Sequence, residues 1–185
     1  SQVCPPEAVI ATNTSTISIT FLGTQSGRPT QFLGMHFQPP VPKKPLVELV
    51  RGLETSDETL RTARELAEVM GKTAIEVYEW PGYATTRIII PLINEAMYVV
   101  MENVASAADV DVAMSKGCGM EKGPLHLADE MGLDAILAQS EHLFRELGDV
   151  KYRPCPLLKK MVRAGHLGVK TGRGFFTYNH ENKRE

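Results

Sequence analysis

The chain has 185 residues, of which 43% are hydrophobic and 23% charged, and its formal net charge at pH 7 is −2. This composition is typical of an ordinary globular protein and predicts either one large domain or two small ones, with enough apolar side chains for a core. The nearly balanced charge, without a basic stripe, argues against nucleic acid as a partner.

The first 80 residues alternate between strand-like and helix-like patterns. Short apolar runs predict four strands, at residues 9–12, 31–37, 46–50 and 72–80. Ser15 and the two residues before it predict the N-cap of a helix that begins near Ile17. Thr55 and Glu58 predict a capping box at the start of a second helix. The order of elements, strand-helix-strand-strand-helix-strand, predicts the C-terminal part of an α/β sheet.

From Pro81 onward the pattern is helical. Helices are predicted at residues 83–103, 109–116, 125–131, 133–147 and 156–164. The change of pattern predicts two domains, residues 1–80 and 81–185, and a fold class of α/β followed by all-α. The first of these helices is apolar nearly all round, so we expect it to be buried, and a dimer contact is one way to bury it.

The sequence argues against a membrane-spanning protein and against a protein held together by disulfides or zinc. The most apolar stretch, residues 88–101, is shorter than the roughly 20 residues of a membrane-spanning helix, so we expect no membrane partner. Cys4, Cys118 and Cys155 are far apart and form no CxxC pair, which argues against both a disulfide framework and a zinc site. We therefore predict a cytoplasmic protein without a metal.

His36 and Glu48 are the first candidates for chemistry, although a lone histidine at a strand end is more often structural or merely exposed. His36 stands near the carboxyl end of a predicted strand, where α/β sheets bind their ligands. Glu48 lies in the middle of the apolar run 46–50. Burying this carboxylate alone would be costly, so we expect it to hydrogen-bond His36 and fix the imidazole tautomer, an arrangement that suits proton transfer. The alternative is an edge strand with Glu48 in water.

Ser15 also has two interpretations. At the start of a helix that follows a strand, its hydroxyl group could meet an oxygen of a cofactor or substrate. It could equally serve only as a helix cap. The glycines of residues 117–123 are no nucleotide-binding fingerprint, because they follow a helix and have the wrong spacing.

Several segments are specific in combination, among them ATNTSTISIT, GMHFQPPVPKKPLVELVRG, PGYATTRI and KTGRGFF. With these segments, the chain resembles the 3-hydroxyacyl-CoA dehydrogenase family, including its bacterial 3-hydroxybutyryl-CoA dehydrogenases, over nearly its whole length. The resemblance implies a Rossmann domain that binds NAD and a helical domain that makes a homodimer. It implies that 3-hydroxyacyl-CoA and 3-ketoacyl-CoA thioesters are interconverted, in fatty-acid or butanoate metabolism.

The resemblance also assigns roles to single residues. It implies that His36 is the catalytic acid/base, that Glu48 is its partner and that Ser15 lies near the nicotinamide and the substrate. The chain departs from the family at two positions, where Pro39 and Thr86 each stand in place of an asparagine. These changes leave three interpretations open besides the expected enzyme: a weakened enzyme, an inactive homologue kept as a structural dimer, and a related NAD-dependent hydroxy-acid dehydrogenase.

No GxGxxG sequence follows a strand in these residues. Because the family binds the cofactor's pyrophosphate with such a loop, the resemblance implies an amino-terminally truncated chain. The expected fold is then the C-terminal part of a Rossmann sheet followed by a helical dimerisation domain. Most of the NAD site would lie outside this chain, and the chain alone would be inactive.

Overall fold

The structure is a computed structural model and describes residues 3–179 and 183–184. The chain forms two compact units, residues 1–84 and 85–185. The first unit is a sheet with helices, and the second is helical. The predicted fold class, α/β followed by all-α, is therefore confirmed.

The residues that the structure describes in the N-terminal unit form four strands, and an apolar run of the sequence predicts each of them. The strands are β1 (Ile10–Thr12), β2 (Phe32–Phe37), β3 (Leu46–Arg51) and β4 (Thr73–Tyr78). They lie in the order β1-β2-β3-β4, with β1–β2 and β3–β4 parallel. β2 and β3 are antiparallel, because residues 38–45 alone join them and are too few for the crossover that a parallel pair needs.

Helix α1 (Ile19–Ser26) follows β1, but it begins later than the sequence pattern predicts. Its N-cap is Ser18, whose hydroxyl oxygen accepts a hydrogen bond from the N–H of Phe21 at 2.9 Å. The prediction that Ser15 belongs to the cap and that the helix begins near Ile17 is therefore wrong. Three consecutive polar residues can all cap a helix by type, and only the backbone decides which one does.

Helix α2 (Asp57–Val69) connects β3 to β4 and has a different cap from the predicted one. The predicted box of Thr55 and Glu58 is wrong, because the capping hydroxyl belongs to Ser56. Thr55 instead makes a hydrogen bond to a strand of the sheet. Its buried hydroxyl group donates to the carbonyl oxygen of Phe32 at 2.6 Å, at the start of β2.

Side chains alternate along β2 and β3, so the sheet has two buried faces. On one face, β2 and β3 pack against α2 with the residues Leu33, Met35, Val47, Leu49, Leu60, Ala63 and Ala67. On the other face, the core residues are Ile19, Phe32, Val50 and Tyr83. His36 and Glu48 alternate with residues of the first set, so they lie on the face of Tyr83.

The described residues of the C-terminal unit form five α-helices. They are α3 (Thr85–Met101), α4 (Ala107–Val112), α5 (Pro124–Met131), α6 (Leu133–Leu147) and α7 (Pro156–Arg163). Helix α3 buries Ile90, Ile93 and Met97 in the core of this unit. On the opposite face of α3, Ile88 is 69% exposed in the single chain. The expected burial of α3 is thus met on one face, and burial of the other face by a dimer contact stays a prediction. Within the described residues, every helix is too short or too polar to cross a bilayer.

Gly34 offers a test of how closely β2 and β3 approach each other. A Cβ added at Gly34 would lie 2.8 Å from Cβ of Val50 and 3.0 Å from Cδ1 of Ile19. Because that space is already filled, we expect Gly34→Ala to lower the free energy of unfolding by about 1–3 kcal/mol. Urea unfolding measures this loss. The control is Gly117→Ala, whose added Cβ meets nothing within 4 Å, and an equal loss in both variants would contradict the packing argument.

Candidate active site

His36 and Glu48 face each other across the antiparallel pair of strands. The register of β2 and β3 sets these two residues opposite one another. Nδ1 of His36 lies 2.7 Å from Oε2 of Glu48, which is hydrogen-bond distance. Glu48 is 0% exposed and His36 is 7% exposed. The alternative of an edge strand with Glu48 in water is wrong, because β3 lies between β2 and β4.

The carboxylate of Glu48 has a second hydrogen bond, to the main chain. The N–H of Ala84 donates to Oε1 of Glu48 at 3.1 Å. With Oε1 held by a backbone donor and Oε2 by the imidazole, the carboxylate has a fixed orientation. An ionised carboxylate accepts and cannot donate, so Nδ1 of His36 carries the shared proton. Nε2 is then the ring nitrogen that can accept a proton from another molecule.

Tyr83 packs against the imidazole from the same face of the sheet. The ring centroids of Tyr83 and His36 are 5.3 Å apart, with an angle of 65° between the ring planes, an edge-to-face contact. The side chain of Tyr83 is buried, and its hydroxyl group donates to the carbonyl oxygen of Thr14 at 3.0 Å. Burial raises the pKa of Tyr83 to about 12, with the negative charges of Glu79 and Glu48 adding to the shift. The phenol therefore stays neutral at pH 7 and remains a donor.

Ser15 lies in the loop between β1 and α1, which is tied to the same edge of the sheet as His36. Asn13 makes one tie, because its Oδ1 accepts a hydrogen bond from the N–H of Phe37 at 2.9 Å. The bond from Tyr83 to Thr14 makes the other. Ser15 is half-buried and follows these two anchored residues directly. The structure thus holds the loop of Ser15 beside the carboxyl end of β2, although Ser15 does not cap α1.

The two positions that depart from the family lie in different surroundings. Pro39 is exposed, in the bend that follows β2. Its neighbour Gln38 places Nε2 at 3.4 Å from Nδ1 of His36, on the side of the ring that faces Glu48. Thr86 is buried in the first turn of α3, which belongs to the C-terminal unit. The N-terminal unit by itself therefore pairs His36 with Glu48 and anchors the loop that contains Ser15, while Thr86 belongs to the other unit.

Three contributors to this site escaped prediction from the sequence: the Tyr83 side chain, the N–H of Ala84 and the amide of Asn13. The N–H of Ala84 has no side-chain signature at all. The sequence does carry a signal for the turn, because the dipeptide Pro81-Gly82 is typical of turns. The φ angles of Gly82 and Tyr83 are positive, 80° and 46°. Among the described residues, no three side chains of metal-ligating type converge.

Two family models match consecutive parts of the chain. The family model of the 3-hydroxyacyl-CoA dehydrogenase NAD binding domain matches residues 1–80. The model of the C-terminal domain of the same enzymes matches residues 82–178. Together the two matches account for nearly the whole chain.

Individual relatives are similar over almost all of this chain. A probable 3-hydroxybutyryl-CoA dehydrogenase of Deinococcus radiodurans is 52% identical over 96% of this chain and 64% of its own length. A probable 3-hydroxybutyryl-CoA dehydrogenase of Bacillus subtilis is 50% identical over 96% of this chain and 62% of its own length. The chain therefore spans less than two thirds of the length of these curated relatives.

A solved structure has the same fold. The crystal structure of (S)-3-hydroxybutyryl-CoA dehydrogenase from Ralstonia eutropha superposes with a TM-score of 0.91 at 48% identity, over 95% of this chain and 62% of that chain. The 3-hydroxybutyryl-CoA dehydrogenase from Escherichia coli has a TM-score of 0.90 at 34% identity, over 95% of this chain and 38% of that one. Because two family models fit consecutive parts of the sequence, this chain belongs to the 3-hydroxyacyl-CoA dehydrogenase family.

Proposed function

We propose that the whole protein that includes these residues is an NAD-dependent dehydrogenase, which interconverts 3-hydroxyacyl-CoA and 3-ketoacyl-CoA thioesters. The single observation that carries the proposal is the buried pair of His36 and Glu48 at the carboxyl end of β2. Family membership supports the choice of substrate, since the relatives bear the name 3-hydroxybutyryl-CoA dehydrogenase. The metabolic role that fits is fatty-acid or butanoate metabolism.

In the oxidative direction, His36 acts as general base on the 3-hydroxyl group of the substrate. Nε2 takes the hydroxyl proton while C3 loses its hydrogen as hydride and the C3–O bond becomes a carbonyl. When bound, NAD supplies the acceptor for that hydride. Glu48 keeps Nδ1 protonated throughout and stabilises the positive charge that forms on the ring. In the reductive direction, the imidazolium returns the proton to the oxygen on C3.

The residues present fit one part of an NAD site. The loop after β1 lies at the carboxyl end of a parallel strand, where α/β sheets bind cofactors, and it offers the hydroxyl groups of Ser15 and Thr16. We propose that Ser15 binds near the nicotinamide and the substrate oxygen. The 185 residues contain no GxGxxG sequence to bind the pyrophosphate. The residues after β1 therefore fit only the part of an NAD site that binds the nicotinamide.

The two departures from the family bear on the level of activity. Proline has neither an amide side chain nor a backbone N–H, so Pro39 cannot repeat the hydrogen bonds of an asparagine. Thr86 stands in place of the other asparagine, and its hydroxyl group can replace one hydrogen bond of that amide but not the full set. Removing one positioned polar contact typically lowers turnover by about 10²–10³-fold. A low rate is therefore compatible with the proposed function, and a complete absence of turnover favours the structural dimer.

The remaining expectations from the resemblance are also proposals. We propose that residues 1–80 contribute to the NAD domain, and that residues 81–185 form a domain for dimerisation and substrate binding. We propose that the dimer contact covers Ile88 on α3, whose side chain is exposed in the single chain. Cytoplasmic location is supported by Cys4, Cys118 and Cys155, which are all free thiols.

Replacement of His36 tests the proposed function. Because general acid/base catalysis contributes about 10²–10⁴-fold, we expect His36→Ala in the whole protein to lower kcat by that factor. The measurement is NADH oxidation with acetoacetyl-CoA, and the control is His142→Ala on α6, which should keep the original rate. If the unmodified protein turns over no faster than His36→Ala, the function is wrong. Turnover of free hydroxy acids in place of thioesters would identify the related dehydrogenase instead.

Replacement of Glu48 tests the partnership with His36. Glu48→Gln keeps the volume of the side chain but removes the charge that stabilises the imidazolium. We expect kcat to fall by roughly 10²–10⁴-fold in the same assay, as when a proton-transferring residue is lost, with the Kd for NADH within twofold of the original. Glu54→Gln, which alters an exposed glutamate, is the control. A Glu48→Gln enzyme as fast as this control would show that His36 works without its partner.

A further inference from the structure

We propose that Tyr83 is a positioning residue, which holds the loop of Ser15 and the imidazole of His36 in one fixed arrangement. The inference rests on the proposed function, because only a shared substrate requires Ser15 and His36 to keep a constant separation. Tyr83 reaches the site through three separate groups: its ring, its hydroxyl and its backbone. Each of them meets a different part of the catalytic arrangement.

The ring of Tyr83 restrains His36. The tyrosine ring is 7% exposed and packs in the core formed with Ile19, Phe32 and Val50, so it is itself immobile. Its edge-to-face contact with the imidazole, at 5.3 Å between centroids, fills the space into which that ring would otherwise turn. The imidazole is thus held by Glu48 at Nδ1 and by Tyr83 at its side.

The hydroxyl group of Tyr83 restrains the loop of Ser15. It donates to the carbonyl oxygen of Thr14 at 3.0 Å, and that carbonyl belongs to the peptide bond that joins Thr14 to Ser15. Asn13 ties the same loop to Phe37, the residue after His36. A phenol is protonated at neutral pH, and burial raises the pKa of Tyr83 to about 12, so the donor persists well above neutral pH. A phenylalanine at position 83 would lack this bond.

The backbone around Tyr83 positions Glu48. A φ angle of 46° places Tyr83 in the left-handed region, which a residue with a side chain seldom adopts. The N–H of Tyr83 closes a turn by donating to the carbonyl oxygen of Trp80 at 3.0 Å. After this turn, the N–H of Ala84 points at Oε1 of Glu48. Such backbone outliers persist where the surroundings hold them, and they cluster at functional sites.

The test is a double-mutant cycle between Tyr83→Phe and Ser15→Ala in the whole protein. Tyr83→Phe keeps the ring, the core and the turn, and removes only the hydrogen bond to Thr14. A hydrogen bond of ordinary strength corresponds to a factor of about five to ten in rate. We expect kcat/KM for acetoacetyl-CoA to fall by that factor in Tyr83→Phe, and we expect almost no further fall when Tyr83→Phe is added to Ser15→Ala. The control is Tyr78→Phe, which alters a tyrosine that is 72% exposed, and its effect should be negligible.

Two outcomes overturn the proposal: a kcat/KM of Tyr83→Phe within twofold of the original, or an effect that multiplies fully with that of Ser15→Ala. A merely structural role would give that full multiplication. If the unmodified protein has no turnover, the proposed function fails, and amide hydrogen exchange then decides about Tyr83. The N–H of Phe37 donates to Asn13 of the same loop, so its exchange reports on the loop. Exchange of this N–H that is about fivefold faster in Tyr83→Phe supports the tether, and unchanged exchange contradicts it.

Discussion

A carboxylate that is fully buried in a sheet must be paired, and this requirement organises the N-terminal unit. Glu48 has no exposed surface, and its two oxygens are held by the imidazole of His36 and the N–H of Ala84. Without such partners, burial of the charge would cost several kcal/mol. The pairing gives the imidazole a defined tautomer, and in the proposed function Nε2 is the atom that meets the substrate. The stability of the sheet and the proposed chemistry thus depend on the same hydrogen bond.

Much of this arrangement could be predicted from local sequence. The apolar runs located all four strands, and the short link between β2 and β3 dictates an antiparallel pair. In that pair, alternation of side chains puts His36 and Glu48 on one face, so their contact follows once the register is known. The helix caps were less predictable. Polar residues that can cap occur in runs, as around Ser15 and Ser18, and the choice among them depends on the backbone.

The parts that sequence could not predict come from long-range contacts of the backbone. Ala84 is 36 residues from Glu48 along the chain and contributes only its N–H, which every residue except proline possesses. The bond from Tyr83 to Thr14 spans 69 residues. Pro39 and Thr86 were recognisable as departures only because the chain resembles a family. Nothing in the structure explains why proline stands at position 39.

The position of the proton on His36 is the most direct test of whether Glu48 fixes the tautomer of the imidazole. Nitrogen-15 NMR of the imidazole distinguishes a protonated ring nitrogen from an unprotonated one. In the neutral form of His36, we expect Nδ1 to carry the proton toward Glu48 and Nε2 to be unprotonated. A neutral ring with its proton on Nε2 would contradict the proposed pairing, because Glu48 could not then accept a hydrogen bond from Nδ1.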